Sequence, residues 1–158
     1  MKAGAFGNWR KINEKFDLTI VKQVSEKGVS CVSAVGEMLL KSRNIFVTQA
    51  EILDIIGEPA SIEMLKQYLN NVDTAEKEKS WQGGYSDDLD IDFLITKRNF
   101  CVFLKEFGSE THAVFIEKFD GNFFIKDTFD QSSYQMTKDD FYNAWTGAYL
   151  NYYWKNKK

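Results

Sequence analysis

The sequence predicts an α+β domain in which helices come first and an antiparallel sheet follows. Three observations lead there. Apolar residues recur at helical spacing between Cys31 and Leu69, strand-like runs rich in aromatic and β-branched residues fill the chain from Asp92 onward, and the two kinds do not alternate as they would in α/β proteins. At 158 residues, with 44% apolar and 15% aromatic content, the chain can bury one core, so residues 1–158 are expected to form a single domain.

Along the chain, Leu18, Ile20 and Val21 suggest an extended stretch over Phe16–Gln23, leading to the polar turn Ser25-Glu26-Lys27-Gly28. From Cys31 to Lys41 the positions of Ala34, Val35, Met38 and Leu39 predict a core helix that starts at the cysteine, with Ser30 as its N-cap. Thr48–Ile56 reads as a second helix, opened by a Thr48/Glu51 capping box and closed by Gly57. Ser61 opens a third, to Leu69, and Pro59 separates the two. Between Asn71 and Asp92 the character changes to a charged run, the aromatic turn-rich SWQGGYS and the acidic DDLDID, predicting a mobile loop or the rim of a site. The segments Asp92–Ile95, Phe100–Phe107, His112–Phe119 and Phe123–Asp127 read as strands. A last helix beginning near Thr137 precedes the aromatic stretch Tyr149–Trp154.

Composition narrows the function. Twenty basic against 23 acidic residues, a net charge of −3, give no electrostatic reason to expect nucleic acid as a partner. Two cysteines are too few for a disulfide scaffold, and one histidine with two distant cysteines cannot supply the usual zinc ligands. No metal or cofactor is therefore expected, and Gly83-Gly84 is followed by Tyr85 rather than by the lysine and hydroxyl residue of a phosphate loop. The first ten residues lack an apolar run of signal-peptide length, and no apolar run has membrane-spanning length. These features predict a soluble chain, cytoplasmic as written or exported as part of a longer protein, without membrane insertion.

The chemistry-bearing residues are few. A thiol at a helix N-terminus lies near the positive end of the helix dipole, which favours the nucleophilic thiolate, and Cys31 is such a thiol. Free cysteines are also often small buried hydrophobes, and the partners must decide between these readings. His112 is the sole histidine, so any cysteine–histidine mechanism uses it; a lone histidine at a strand end is more often a surface or hydrogen-bonded residue than a catalyst. Asp120-Gly121 between two apolar runs predicts a two-residue hairpin that pairs Phe119 with Asn122, Ile116 with Ile125 and Val114 with Asp127. In that register Asp127 is the diagonal neighbour of His112 on one sheet face, within reach of an imidazole–carboxylate bond. Asp127 has a second reading as a strand-end turn residue. Gln23, before the Gly28 turn, could fold its side-chain amide back beside the thiol as an oxyanion donor, or could simply be solvated. Cys101, the rival nucleophile, lies mid-strand among Phe100, Val102 and Phe103 and reads as core.

Gln23, the Gly28-Val-Ser-Cys31 turn with its apolar helix, Thr111-His112-Ala-Val-Phe-Ile116 and Phe124-Ile-Lys-Asp127 stand in the order used by papain-like cysteine peptidases. The set resembles the bacterial C39-like branch most, over about Gln23 to Trp145, including the closing Ser132–Trp145 segment. The resemblance implies a papain-like fold, with Cys31 as nucleophile, His112 as base, Asp127 orienting it and Gln23 in the oxyanion hole. One departure is Ser30-Cys31-Val32, where many C39-like members have Cys-Gly or an acidic residue before the cysteine.

Three functions follow as expectations. The first is a thiol hydrolase cleaving an amide or peptide bond of a protein or peptide substrate. The second keeps the triad in a bacterial toxin or effector, a protease or deamidase acting on a protein of a target cell and paired with a cognate immunity or inhibitor protein. The third is a non-enzymatic binding module using the Trp81–Tyr85 loop as its contact.

Overall fold

The computed structural model describes residues 9–24, 30–106 and 111–155. Among them run β1 (Ile12–Phe16), α1 (Cys31–Lys41), α2 (Gln49–Ile56), α3 (Ile62–Val72), β2 (Lys79–Tyr85), α4 (Ile91–Leu94), β3 (Phe100–Lys105), β4 (Thr111–Asp120), β5 (Asn122–Asp127), β6 (Ser132–Met136), α5 (Lys138–Ala144) and β7 (Trp145–Trp154). The strands form one seven-stranded antiparallel sheet in the order β1-β6-β5-β4-β3-β7-β2.

Alternation along the central strands builds two cores from one sheet. Cys101 and Phe103 of β3 face a layer made by α1, α2 and α3, together with Leu39, Ile52, Leu65 and Trp81. Phe100, Val102 and Leu104 face the other way, onto Leu94, Phe141, Trp145 and Trp9. Being covered on both faces, β3 reads in sequence as a continuous apolar run rather than an alternating one. Helix α1 is the centre of the helical layer: Val35, Leu39 and Leu40 are fully buried, and a Cβ on Gly36 would lie 2.9 Å from Leu65 Cδ1 and 3.2 Å from Ile52 Cδ1. The glycine lets α2 and α3 approach, and α1 in turn packs on β4, the strand that carries His112.

Where local signals are strong, the structure follows them. Helix α1 begins at Cys31, α2 carries both bonds of the Thr48/Glu51 capping box, and Ser61 caps α3, which continues past Leu69 to Val72. Ser30 occupies the N-cap position of α1, but its side chain makes no capping bond.

Several expectations are corrected. Residues 92–95 are not a strand: they lie in and beside α4, a short helix whose N-cap Asp90 accepts from the Phe93 N–H. The presumed Trp81–Tyr85 loop is the edge strand β2, and Trp81 is buried, not offered as a contact. Of its two glycines, which signal a turn in sequence, Gly83 serves close strand packing instead: a Cβ there would lie 2.2 Å from the Tyr149 carbonyl oxygen, while one on Gly84 would meet nothing within 4 Å. The extended element near the start is Ile12–Phe16, not Phe16–Gln23, and residues 17–24 belong to no strand. The expected turn at Ser25–Gly28 lies outside the described residues.

The β4–β5 hairpin is corrected at its tip and upheld at its base. Asp120 pairs with Asn122 and Phe119 with Phe123, so Gly121 alone turns the chain, at φ 77°. A bulge between Ile116 and Lys118 then shifts the register, and Ile116 faces Ile125 after all. The two one-residue offsets cancel before the strands reach His112 and Asp127.

Candidate active site

Cys31 is the first residue of α1 and is partly exposed, whereas the residues after it, Val32 to Gly36, are buried. The helix therefore presents its thiol at its N-terminus while the rest of the turn is anchored in the core. Cys101 differs in every respect that matters for reactivity. It is fully buried in β3, and burial holds its thiol well above the usual range.

Packing of α1 on β4 brings His112, the second residue of β4, to the thiol. His112 Nε2 meets Asp127 Oδ1 at 2.8 Å, and both side chains are buried. With Nε2 so engaged, Nδ1 is the ring nitrogen left for the hydrogen bond to Cys31. Glu106 Oε1 lies 3.7 Å from the same Nδ1. Burial by itself drives an imidazole toward its neutral form; the charge and hydrogen bond of Asp127, followed by the contact with Cys31, outweigh it and hold His112 well above the ordinary histidine value. The histidine thus stands between a carboxylate that favours its charged form and the Cys31 side chain.

Asp127 ends β5 with no solvent exposure. Burial opposes its charge, but the His112 cation and bond, and the Phe129 N–H donating to Oδ1 at 3.0 Å, hold the carboxyl below its usual range. Its other oxygen accepts from the Tyr134 hydroxyl at 3.4 Å. Burial and the neighbouring Asp127 charge push the Tyr134 phenol up, which keeps it a donor.

Gln23 is buried at the turn that follows Asp127. Its backbone N–H donates to the Thr128 carbonyl at 2.9 Å and its Nε2 to Thr128 Oγ1 at 3.3 Å. The structure thus brings Cys31, His112 and Asp127 into one line of contacts, and Gln23 joins it through Thr128.

Sequence reasoning missed Tyr134, Glu106 and Thr128. Strand alternation in β6 does place Tyr134 opposite Ile125, on the face of Asp127. No turn signal sets that register in advance, because residues 128–131 carry no hairpin dipeptide. Among the described residues no group of three His, Cys, Asp or Glu side chains could hold a metal ion, and no helix is long and apolar enough to cross a membrane.

No family model matches the chain. A curated relative, cysteine protease effector 1 of Escherichia coli O1:K1:H7, is 33% identical over 151 residues, covering 93% of this chain but 29% of its own length. Among solved structures, the peptidase domain of Streptococcus ComA, a bi-functional ABC transporter of a quorum-sensing pathway, superposes with a TM-score of 0.69 at 14% identity, over 85% of this chain and 97% of that domain. A double-glycine-motif protease from an AMS/PCAT transporter, solved in complex with the leader peptide, gives 0.66 at 13% identity, over 94% of this chain and 97% of its own.

Proposed function

We propose that this chain, which has the papain-like fold of the C39-like peptidases, is a cysteine peptidase domain with Cys31, His112 and Asp127 as its triad. The observation that carries the reading is the buried 2.8 Å His112–Asp127 contact, whose imidazole turns its other nitrogen to a partly exposed thiol at a helix start.

The geometry lends itself to acyl transfer. The Cys31 thiol gives its proton to His112 Nδ1 as its sulfur attacks the carbonyl carbon of an amide, the carbonyl π electrons move to oxygen, and the Cys31 backbone N–H with the Gln23 side-chain amide receives the oxyanion. A primary amide carries two N–H donors, so Gln23 can keep one on Thr128 and offer the other. His112 then gives that Nδ1 proton to the departing amine as the C–N bond breaks. Water next gives a proton to His112 and attacks the thioester, and His112 returns the proton to the departing Cys31 sulfur, releasing the acid and the thiol. Asp127 holds the ring orientation and its charge throughout.

The likeness to a named protease effector supports a finer reading: a toxin or effector module cutting a protein of a target cell and restrained by a cognate inhibitor. It favours peptide cleavage over deamidation.

Iodoacetamide near neutral pH should label Cys31 well before the buried Cys101, and Cys31→Ala should abolish cleavage with little change in melting temperature. Mass spectrometry of the labelled peptides decides the first point; preferential labelling of Cys101 would remove Cys31 as the nucleophile.

A further inference from the structure

Residues 21–24 belong to no strand, yet they are held as though they had a neighbour on each side. On one side the side chain of Gln49 donates through Nε2 to the Lys22 carbonyl and accepts the Val24 N–H on Oε1 at 3.1 Å. One amide thus presents to residues 22 and 24 the donor and acceptor that an adjacent strand would supply. Gln23 points the other way, its N–H on the Thr128 carbonyl at 2.9 Å.

We propose that Gln49 is a positioning residue for the oxyanion hole, its side-chain amide setting where Gln23 stands relative to the thiol; this rests on the oxyanion reading of Gln23. Gln49 is itself well placed to be a reference point. It is 5% exposed, it is the first residue of α2, and its own N–H donates to Glu37 Oε1 at 2.6 Å. Glu37 belongs to α1, the helix that begins at Cys31. The chain of bonds Glu37–Gln49–Lys22/Val24 therefore ties the Gln23 segment to the helix that carries the nucleophile, while Thr128 ties it to the turn after Asp127. A donor in an oxyanion hole works only when held to a fraction of an ångström, and this pair of anchors supplies that from both sides.

The test separates acylation, which builds an oxyanion, from alkylation, which does not. The acylation burst of the full chain with p-nitrophenyl acetate is compared with iodoacetamide labelling of Cys31, for Gln49→Met, Gln23→Ala and the double variant. Gln49→Met should slow acylation roughly tenfold to a hundredfold with alkylation nearly unchanged, and it should add almost nothing once Gln23 is alanine. Gln49→Glu keeps the acceptor for Val24 but not the donor for Lys22; it should fall between, and it serves if the methionine variant does not fold. Additive losses, equal losses in both assays, or wild-type acylation in either Gln49 variant overturn the positioning role. Wild-type acylation in Gln23→Ala overturns the oxyanion reading itself and this proposal with it.

Discussion

Among the described residues two aspartates lie buried with the same kind of company, and the partner of only one of them also meets a thiol. Asp73, at the end of α3, receives Arg43 Nε at 2.8 Å and Nη2 at 3.1 Å, with Trp81 Nε1 donating at 3.0 Å. Asp127 receives His112 Nε2 at 2.8 Å, the Phe129 N–H and the Tyr134 hydroxyl. Each is a carboxylate with a cation and an aromatic donor. The difference is the cation. A guanidinium stays charged, both its bonds go to Asp73, and its face lies 3.7 Å from the Tyr152 ring centroid, so the cluster joins the helical layer to β2 and β7. An imidazole has two nitrogens and a proton it can release, so pairing one nitrogen with Asp127 leaves the other for chemistry. The same electrostatic device makes a rivet in one place and, in the proposed mechanism, a proton shuttle in the other.

Exchanging each acid for its amide is the sharpest way to break this contrast. Asp127→Asn should lower turnover by about a hundredfold or more, since the charge that supports the His112 imidazolium formed during the reaction is lost, and should lower the melting temperature far less. Asp73→Asn should do the reverse, costing about 1.5–3 kcal/mol of stability because the partly exposed Arg43 loses the charge of its buried partner, with turnover per folded molecule preserved. Activity that merely tracks melting temperature in both variants would make Asp127 as structural as Asp73.

The pH dependence should differ in the same sense. His112 is raised in the folded chain, so its contribution to stability is complete below the ordinary value of 6.5 and is lost as pH rises through the folded value. Asp127 is lowered, so its contribution is complete above 3.8 and is lost as pH falls through its own folded value. The pair is therefore expected to stabilise fully between those two reference values and to fade on the alkaline side. Thermal melts from acid to alkaline pH should show that alkaline decline in the wild-type chain and not in His112→Gln. Parallel curves for the two would remove the assigned linkage.

The smallest effect expected is at Tyr134. Tyr134→Phe deletes one long hydrogen bond to Asp127, and should cost about 1 kcal/mol and only a few-fold in turnover, leaving Cys31 labelling in place. A loss as large as that of Asp127→Asn would mean that the hydroxyl, rather than the backbone at Phe129, holds the carboxylate.

How far the site was legible depends on the range of the interactions behind each part. Cys31 at a helix start is legible because apolar spacing over Cys31–Lys41 is a local pattern, and the capping box of α2 is legible because both its bonds lie within four residues. The His112–Asp127 pairing came out right in spite of its hinge. Asp120-Gly121 announces a hairpin, but neither the one-residue turn at Gly121 nor the bulge at Glu117 leaves a mark in composition. Gly83 of β2 misleads for a related reason: a glycine required by a neighbouring backbone looks in sequence like a glycine required by a turn.

Periodicity, caps and one hairpin were enough to give the class of the fold, a cysteine at a helix start, and the sheet face shared by His112 and Asp127. Tertiary structure decided the rest. It set β1 and β2 on opposite edges of the sheet, placed Tyr134 on Asp127, bonded Gln23 to Thr128 and its neighbours Lys22 and Val24 to Gln49, and made Asp73 a rivet with Arg43. These contacts join residues distant along the chain, whose meeting depends on how whole layers pack and which buried polar groups must then be satisfied. A side chain such as Gln49, polar and unremarked in a helix start, acquires its partners only when the core closes around it.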